Sequence, residues 1–211
     1  EIPCDWSAVV ACMLHKKGDR DDPNNYRCLA LINTSLKLFT SVLLARLEIW
    51  VGKEGILPES QSGFRRGRSC LDNVFVLSSL VKSRLARGRE TYAILIDLRR
   101  AFDSLNHDLM WQKLLGLGLS RKVVGVLRAI YGQATISVRT NAGLSQGVEV
   151  TSGVLQGETL SPLLFSLFMS DLGDDLRAGG VEGVRLDSDT YVLSIEYADD
   201  QIVLADSAPD V

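Results

Sequence analysis

Three aspartates carry the chemistry legible in this chain. Asp199 and Asp200 are adjacent in Tyr197-Ala198-Asp199-Asp200, between the apolar runs 193–197 and 202–205; Asp97 closes the β-favouring run Tyr92-Ala93-Ile94-Leu95-Ile96. The two runs read as arms of a β-hairpin, with Asp199, Asp200 and Gln201 near its turn. Alone, Asp-Asp is an ordinary solvated turn and Asp97 an ordinary strand-end cap. Together, carboxylates delivered from the ends of two strands offer the oxygen ligands that hard divalent cations take. Two such cations about 3.5–4 Å apart stabilise the attacking and leaving oxygens of an in-line displacement at phosphorus. The indicated chemistry is metal-dependent phosphoryl transfer. It needs no histidine base, and the chain has only His15 and His107.

The elements that must position these residues can be read in outline. Apolar stretches at 9–14 and 29–32 flank the polar loop 16–25, and the second reads as a strand. Leu36, Phe39, Leu43 and Leu47 recur at helical spacing, broadened by Leu38 and Val42. Residues 52–58 end that helix. Ser69 with Asp72 three residues on resembles a capping box for a helix reaching about Arg87, with Gly88 after its end. The strand ending at Asp97 is followed by a turn at 103–106, a helix through Leu115, and another helix capped by Ser120. Residues 134–140 alternate as a strand, and 148–154 supply a second extended segment. Ser161-Pro162 opens a long amphipathic helix, with Ser161 as N-cap. Helices interleaved with hairpins indicate an α+β fold.

Composition sets the outer bounds. The 211 residues suffice for one domain or two packed lobes. No apolar run approaches the roughly 20 residues that span a bilayer, and charges at Glu1, Asp5, Lys16 and Lys17 leave no signal-peptide core. Cys4, Cys12, Cys28 and Cys70 form no Cys-x-x-Cys pair, so reduced, buried thiols in an intracellular protein are expected rather than structural zinc. The net charge of −3 is unevenly spread: residues 1–92 hold 14 Lys and Arg against 10 Asp and Glu, and residues 93–211 hold 9 against 16. A basic part suits a phosphate backbone and an acidic part suits divalent cations.

Five blocks, in order, resemble those of reverse transcriptases of the LINE-type, non-LTR retrotransposon branch. They are Lys16-Lys17-Gly18-Asp19 through Asn25-Tyr26-Arg27; Gln61-Ser62-Gly63-Phe64-Arg65-Arg66-Gly67-Arg68-Ser69; Asp97-Leu98-Arg99-Arg100-Ala101-Phe102-Asp103; Gly153-Val154-Leu155-Gln156-Gly157-Glu158-Thr159-Leu160-Ser161-Pro162-Leu163-Leu164-Phe165; and Tyr197-Ala198-Asp199-Asp200. Two positions depart from the family pattern: Cys28 follows Arg27, and Leu155 precedes Gln156, where the family often has proline.

The resemblance implies catalytic, metal-binding roles for Asp97, Asp199 and Asp200, with the Leu98 carbonyl as a further ligand. It places Tyr197 near the primer terminus. Phe102 resembles the steric gate that would clash with a ribose 2′-OH, the group that separates ribo- from deoxyribonucleotides. Gln156 and Gly157 resemble the loop beside the nascent base pair, Lys17 and Arg27 the residues that meet the incoming triphosphate, and Arg65, Arg66 and Arg68 a template-binding loop.

The fold so implied is the fingers and truncated palm of a right-hand polymerase, the palm a ferredoxin-like antiparallel sheet with packed helices. Residues 1–92 would be mainly fingers, 93–112 palm, 113–150 a connection, and 151–211 palm with the catalytic hairpin, ending before the thumb. The implied activity is RNA-directed DNA synthesis with two Mg²⁺ ions, Mn²⁺ being an alternative. The implied partners are an RNA template, a DNA primer, dNTPs, and the thumb and endonuclease of a parent polyprotein found in nucleus and cytoplasm; no membrane is involved. The isolated chain is expected to be inactive or nearly so. The alternatives are a group II intron maturase-like reverse transcriptase and an inactive retroelement remnant.

Overall fold

The computed structural model describes residues 2–187 and 190–207. In chain order the elements are β1 (Ala8–His15), β2 (Tyr26–Leu31), α1 (Thr34–Glu54), α2 (Cys70–Leu85), β3 (Tyr92–Asp97), α3 (Ala101–Ser104), α4 (His107–Gly116), α5 (Arg121–Tyr131), β4 (Thr135–Thr140), β5 (Gly143–Leu144), β6 (Val148–Glu149), α6 (Ser161–Phe168), α7 (Leu172–Ala178), β7 (Val184–Arg185), β8 (Tyr191–Val192), β9 (Ser194–Tyr197) and β10 (Asp200–Ala205). The fold is α+β. Among the described residues no helix is long and apolar enough to cross a membrane.

Two compact units interleave along the chain: Glu1–Lys53 with Arg100–Phe165, and Glu54–Arg99 with Ser166–Val211. The interleaving follows from strand pairing between segments remote in sequence, β1 with β4 and β3 with β10.

In the first unit, β1 pairs antiparallel with β2, His15 opposite Tyr26 and Val10 opposite Leu31. On its other side β1 runs parallel to β4, Ala8 opposite Thr135. Val9 and Ala11 of β1, Leu36 and Leu47 of α1, Met110 and Leu114 of α4, and Leu127 and Ile130 of α5 are buried. Asn106 and Ser120 cap α4 and α5, each side chain accepting a first-turn amide. The apolar stripe of α1 is narrower than the sequence predicts: Leu38 and Val42 face solvent. Single exposed apolar side chains on a helix are common.

In the second unit, β10 lies between β3 and β9, antiparallel to both. Leu80 of α2 is buried with Val184, Ile195 and Leu204, and Leu77, Val81 and Ile202 pack around them. Helix α2 starts as expected. Ser69 accepts from the Asp72 amide and the Asp72 carboxylate accepts from the Ser69 amide, a complete capping box.

Three further expectations are corrected. The long helix from Ser161 stops at Phe168, where the Ser170 hydroxyl and amide both donate to the Leu167 carbonyl, and α7 begins only at Leu172. Ser161 is the first helical residue rather than the cap; its hydroxyl donates to the Leu155 carbonyl at 2.8 Å, while Glu158 accepts the Leu160 amide at 2.7 Å. The thiols are not uniformly buried. Cys12 and Cys28 are half-buried and Cys70, first residue of α2, is exposed. The side chain of Cys4 lies outside the described residues.

Candidate functional site

Asp97 is the last residue of β3 and stands directly opposite Asp200, the first residue of β10. Opposed residues of an antiparallel pair project to one face with Cβ atoms about 4.5–5.5 Å apart. Asp200 also pairs with Tyr197 of β9, which leaves Ala198 and Asp199 as a two-residue turn. Asp97 and Asp200 are exposed, and Tyr197 and Asp199 half-buried. Sheet register thus brings two of the three aspartates together, with the third next in the chain. Their donors are all carboxylate oxygens, the set that suits hard divalent cations. Among the described residues, no group of three or more His, Cys, Asp and Glu side chains is gathered tightly enough to hold a metal ion.

The turn is held from a direction the sequence does not reveal. Ala198 has φ 57°, a left-handed conformation that costs a non-glycine residue about 1–2 kcal/mol. Gln61, only 1% exposed, reaches it. Its Oε1 accepts from the Ala198 amide at 2.9 Å and the Gly63 amide at 2.7 Å, and its Nε2 donates to the Ala198 carbonyl at 3.3 Å. A Cβ on Gly63 would fall 2.2 Å from the Ala198 nitrogen, so glycine is required there by close approach. Around this contact, residues 60–62 run along the free edge of β9: the Ser62 amide donates to the Glu196 carbonyl and the Glu196 amide to the Ser60 carbonyl, each at 2.9 Å. The buried Glu196 carboxylate accepts from the hydroxyls of Ser60 and Ser194 at 2.8 and 2.7 Å. Asn73 of α2 donates to the Glu196 carbonyl at 3.0 Å.

The arginines of the same loop are largely engaged within it. Arg65 donates to the carbonyls of Pro58 and Gln61 and to Glu59, and Arg68 also pairs with Glu59. The Arg68 hydrogen bond and charge, with help from Arg65, hold the Glu59 carboxyl below its usual range. Arg66 is exposed.

The remaining candidates belong to the first unit. Phe102 stacks on Phe165, ring centroids 4.6 Å apart, and its carbonyl accepts from the Val154 amide at 2.7 Å. Gln156 donates from Nε2 to Asp103 at 2.8 Å, and its carbonyl accepts from the Ala30 amide at 2.9 Å. Gly157, at φ 109°, lies so close to β2 that a Cβ would come within 2.8 Å of the Ala30 carbonyl. Phe102, Gln156 and Gly157 are therefore tied through backbone contacts to α3, β2 and the loop before α6. Lys17 and Arg27 are exposed, one in the β1–β2 connection and the other on β2. Burial, then the Asp103 carboxylate, push the Cys28 thiol pKa up, so the thiol beside this loop stays protonated.

Sequence reading missed Gln61 and Gly63 as supports of the β9–β10 turn and Arg100 as a left-handed residue, φ 53°, whose guanidinium hydrogen-bonds Asn24. The one available signal was that Gln61 and Gly63 stand inside a recognisable block.

This α+β fold, with carboxylates on a three-stranded antiparallel sheet and its hairpin turn, defines the fingers and palm of a nucleotide polymerase. A family profile described as "Reverse transcriptase (RNA-dependent DNA polymerase)" matches residues 14–211, and the chain belongs to that family. It is 28% identical over 209 residues to the retrovirus-related Pol polyprotein from the type-1 retrotransposable element R2 of Popillia japonica, covering 98% of this chain and 28% of that protein. It is 31% identical over 172 residues to a probable RNA-directed DNA polymerase from transposon BS of Drosophila melanogaster, covering 81% of this chain and 19% of that one. The chain thus spans under a third of the length of either relative. Among solved structures, apo telomerase from Candida tropicalis truncated of its C-terminal domain shares the fold at a TM-score of 0.66 and 16% identity, over 97% of this chain and 45% of that one.

Proposed function

We propose that this chain is the fingers and palm portion of an RNA-directed DNA polymerase of a non-LTR retrotransposon, adding dNTPs to a primer 3′-OH on an RNA template. The observation that carries the reading is the register that sets Asp97 against Asp200 with Asp199 in the adjoining turn. In the reaction the 3′-hydroxyl gives up its proton to solvent, its oxygen bonds to the dNTP α-phosphorus, the bond from that phosphorus to the α–β bridging oxygen breaks, and pyrophosphate leaves.

Asp97, Asp199 and Asp200, with the Leu98 carbonyl, supply the oxygen donors that would have to draw closer together than they stand in this structure to hold two divalent cations, Mg²⁺ by preference or Mn²⁺. When bound, these cations supply the charge that stabilises the attacking and leaving oxygens. The chain's own residues do the positioning. Phe102, braced by Phe165, presents a ring against the sugar and excludes a 2′-OH. Lys17 and Arg27 offset triphosphate charge. Gln156 and Gly157 border the nascent pair, Tyr197 borders the primer end, and Arg66, with Arg65 and Arg68, follows the template backbone. Residues 93–112 and 151–211 act as palm and the remainder as fingers and connection. A thumb and an endonuclease elsewhere in a parent polyprotein would complete an enzyme that works in nucleus and cytoplasm; the isolated chain has little or no activity.

The test is primer extension on an RNA template by the polymerase carrying this chain. Asp199→Asn abolishes dNTP incorporation, and retained activity would overturn the assignment. Phe102→Val raises ribonucleotide incorporation relative to dNTPs; an unchanged ratio removes the gate.

A further inference from the structure

We infer that Gln61 is a positioning residue for the catalytic turn: its carboxamide clamps both backbone polar groups of Ala198 and so fixes the direction of Asp199, the next residue. The inference rests on the polymerase reading for its consequence, but the clamp itself is a property of the fold.

The carboxamide fits this place by its donor and acceptor inventory. Oε1 has two lone pairs and receives two amides, those of Gly63 and Ala198; Nε2 answers the Ala198 carbonyl. The flipped amide would set an NH₂ group against two N–H donors, so the orientation is determined by its partners. Ala198 needs the support. It is a non-glycine residue in the left-handed region, and such residues persist where surrounding structure over-determines them. Both amide groups of Ala198 lie at the turn of β9–β10, and Ala198 is 5% exposed, so water is a poor substitute partner. Gly63 permits the contact by lacking a Cβ. Segment 60–62, bound along β9, anchors the whole lever to the strand that leads into the turn.

Other side chains fail in distinguishable ways. Methionine matches the length of glutamine without any polar group. Glutamate keeps the acceptor, loses the donor to the Ala198 carbonyl, and adds a charge near Asp199. Glycine at position 198 adopts positive φ without cost and so depends less on the clamp.

Two readouts test the role. The first is backbone amide exchange on the 211-residue chain without divalent ions; the second is primer extension by the polymerase carrying it, as a function of Mg²⁺ and dNTP concentration. The Ala198 amide is protected in the unsubstituted chain, and Gln61→Met lowers that protection about ten- to thirtyfold, the scale of two neutral hydrogen bonds. In the polymerase, Gln61→Met lowers kcat by about tenfold or more and raises the Mg²⁺ concentration for half-maximal rate, leaving the KM for dNTP within about twofold. Adding Ala198→Gly to Gln61→Met recovers part of the kcat. Unchanged Ala198 exchange in Gln61→Met overturns the clamp. Changed exchange with unchanged kcat and Mg²⁺ requirement overturns its catalytic consequence. If Gln61→Met does not fold, Gln61→Glu is judged on the same readouts, with a smaller loss of Ala198 protection expected. Activity surviving in Asp199→Asn would instead overturn the polymerase reading, while the exchange result would still decide the clamp.

Discussion

Glu158 is 3% exposed and directly follows the Gln156-Gly157 pair, so a carboxylic acid sits in the interior beside the proposed nucleotide loop. Burial pushes its pKa up; hydrogen bonds from Thr40 and from amides at the mouth of α6, including Leu160, oppose that rise without cancelling it. The titratable group beside it is Tyr131, whose own pKa is pushed up by burial and by the charge of Glu158. The folded chain therefore holds the Glu158 proton more tightly than the unfolded chain does. Stability from this group is fully present below the ordinary glutamate range and is lost as pH rises through the higher folded value. Glu158→Gln removes that titration while keeping an acceptor for the Leu160 amide. Thermal melts across pH are expected to show the variant gaining on the original chain as pH rises from acid to neutral; a gap independent of pH would count against a proton held at Glu158.

Helix α2 shows what sequence can say about an element and where it stops. Its start was legible because a capping box is local: Ser69 and Asp72 exchange hydrogen bonds within one turn. The strand ending at Asp97 and the hairpin carrying Asp199 and Asp200 were legible for the same reason, as short apolar runs bounded by polar residues. The support of that hairpin was not, because Gln61 and Ala198 are 137 residues apart and only the folded chain brings them together. The break after Phe168 is hidden in the sequence as well, since the mostly apolar stretch 163–168 continues a helical pattern that the Ser170 hydrogen bonds to Leu167 interrupt. At this scale the main consequence is packing. Leu80 of α2 shares a cluster with Ile195 of β9 and Leu204 of β10, so the helix braces the strands that carry the aspartates. Leu80→Ala is expected to cost about 2–5 kcal/mol, and Ser69→Ala about 1 kcal/mol. Amide exchange checks both: Leu80→Ala lowers protection across α2, β9 and β10 together, whereas Ser69→Ala lowers it chiefly in the first turn of α2. Equal, local effects from both would mean that α2 does not brace the hairpin.

At the scale of the whole molecule, the two units are threaded through each other along the chain, and neither is a continuous stretch. Residues 1–53 contribute β1, β2 and α1, but β1 needs β4 on its second edge, and much of the buried apolar surface of that unit comes from Met110, Leu114, Leu127 and Ile130. Residues 54–99 contribute α2 and β3, yet β3 has β10 as its ladder partner, and Leu80 is buried against Val184, Ile195 and Leu204. A cut between Arg99 and Arg100 therefore leaves each fragment with half of two cores and with unpaired strand edges, which are open to association. The fragment 1–99 is expected to show no cooperative thermal transition by circular dichroism. Mixed in equal amounts with 100–211, it should regain strand and helix signal and a cooperative melt, since all the native pairings can then form. A cooperative transition in 1–99 alone would show that the first stretch carries a complete core and that the interleaved division is wrong. The same experiment bears on Asp97 and Asp200: a cut at this bond places them on different fragments, and only pairing of β3 with β10 returns them to one face.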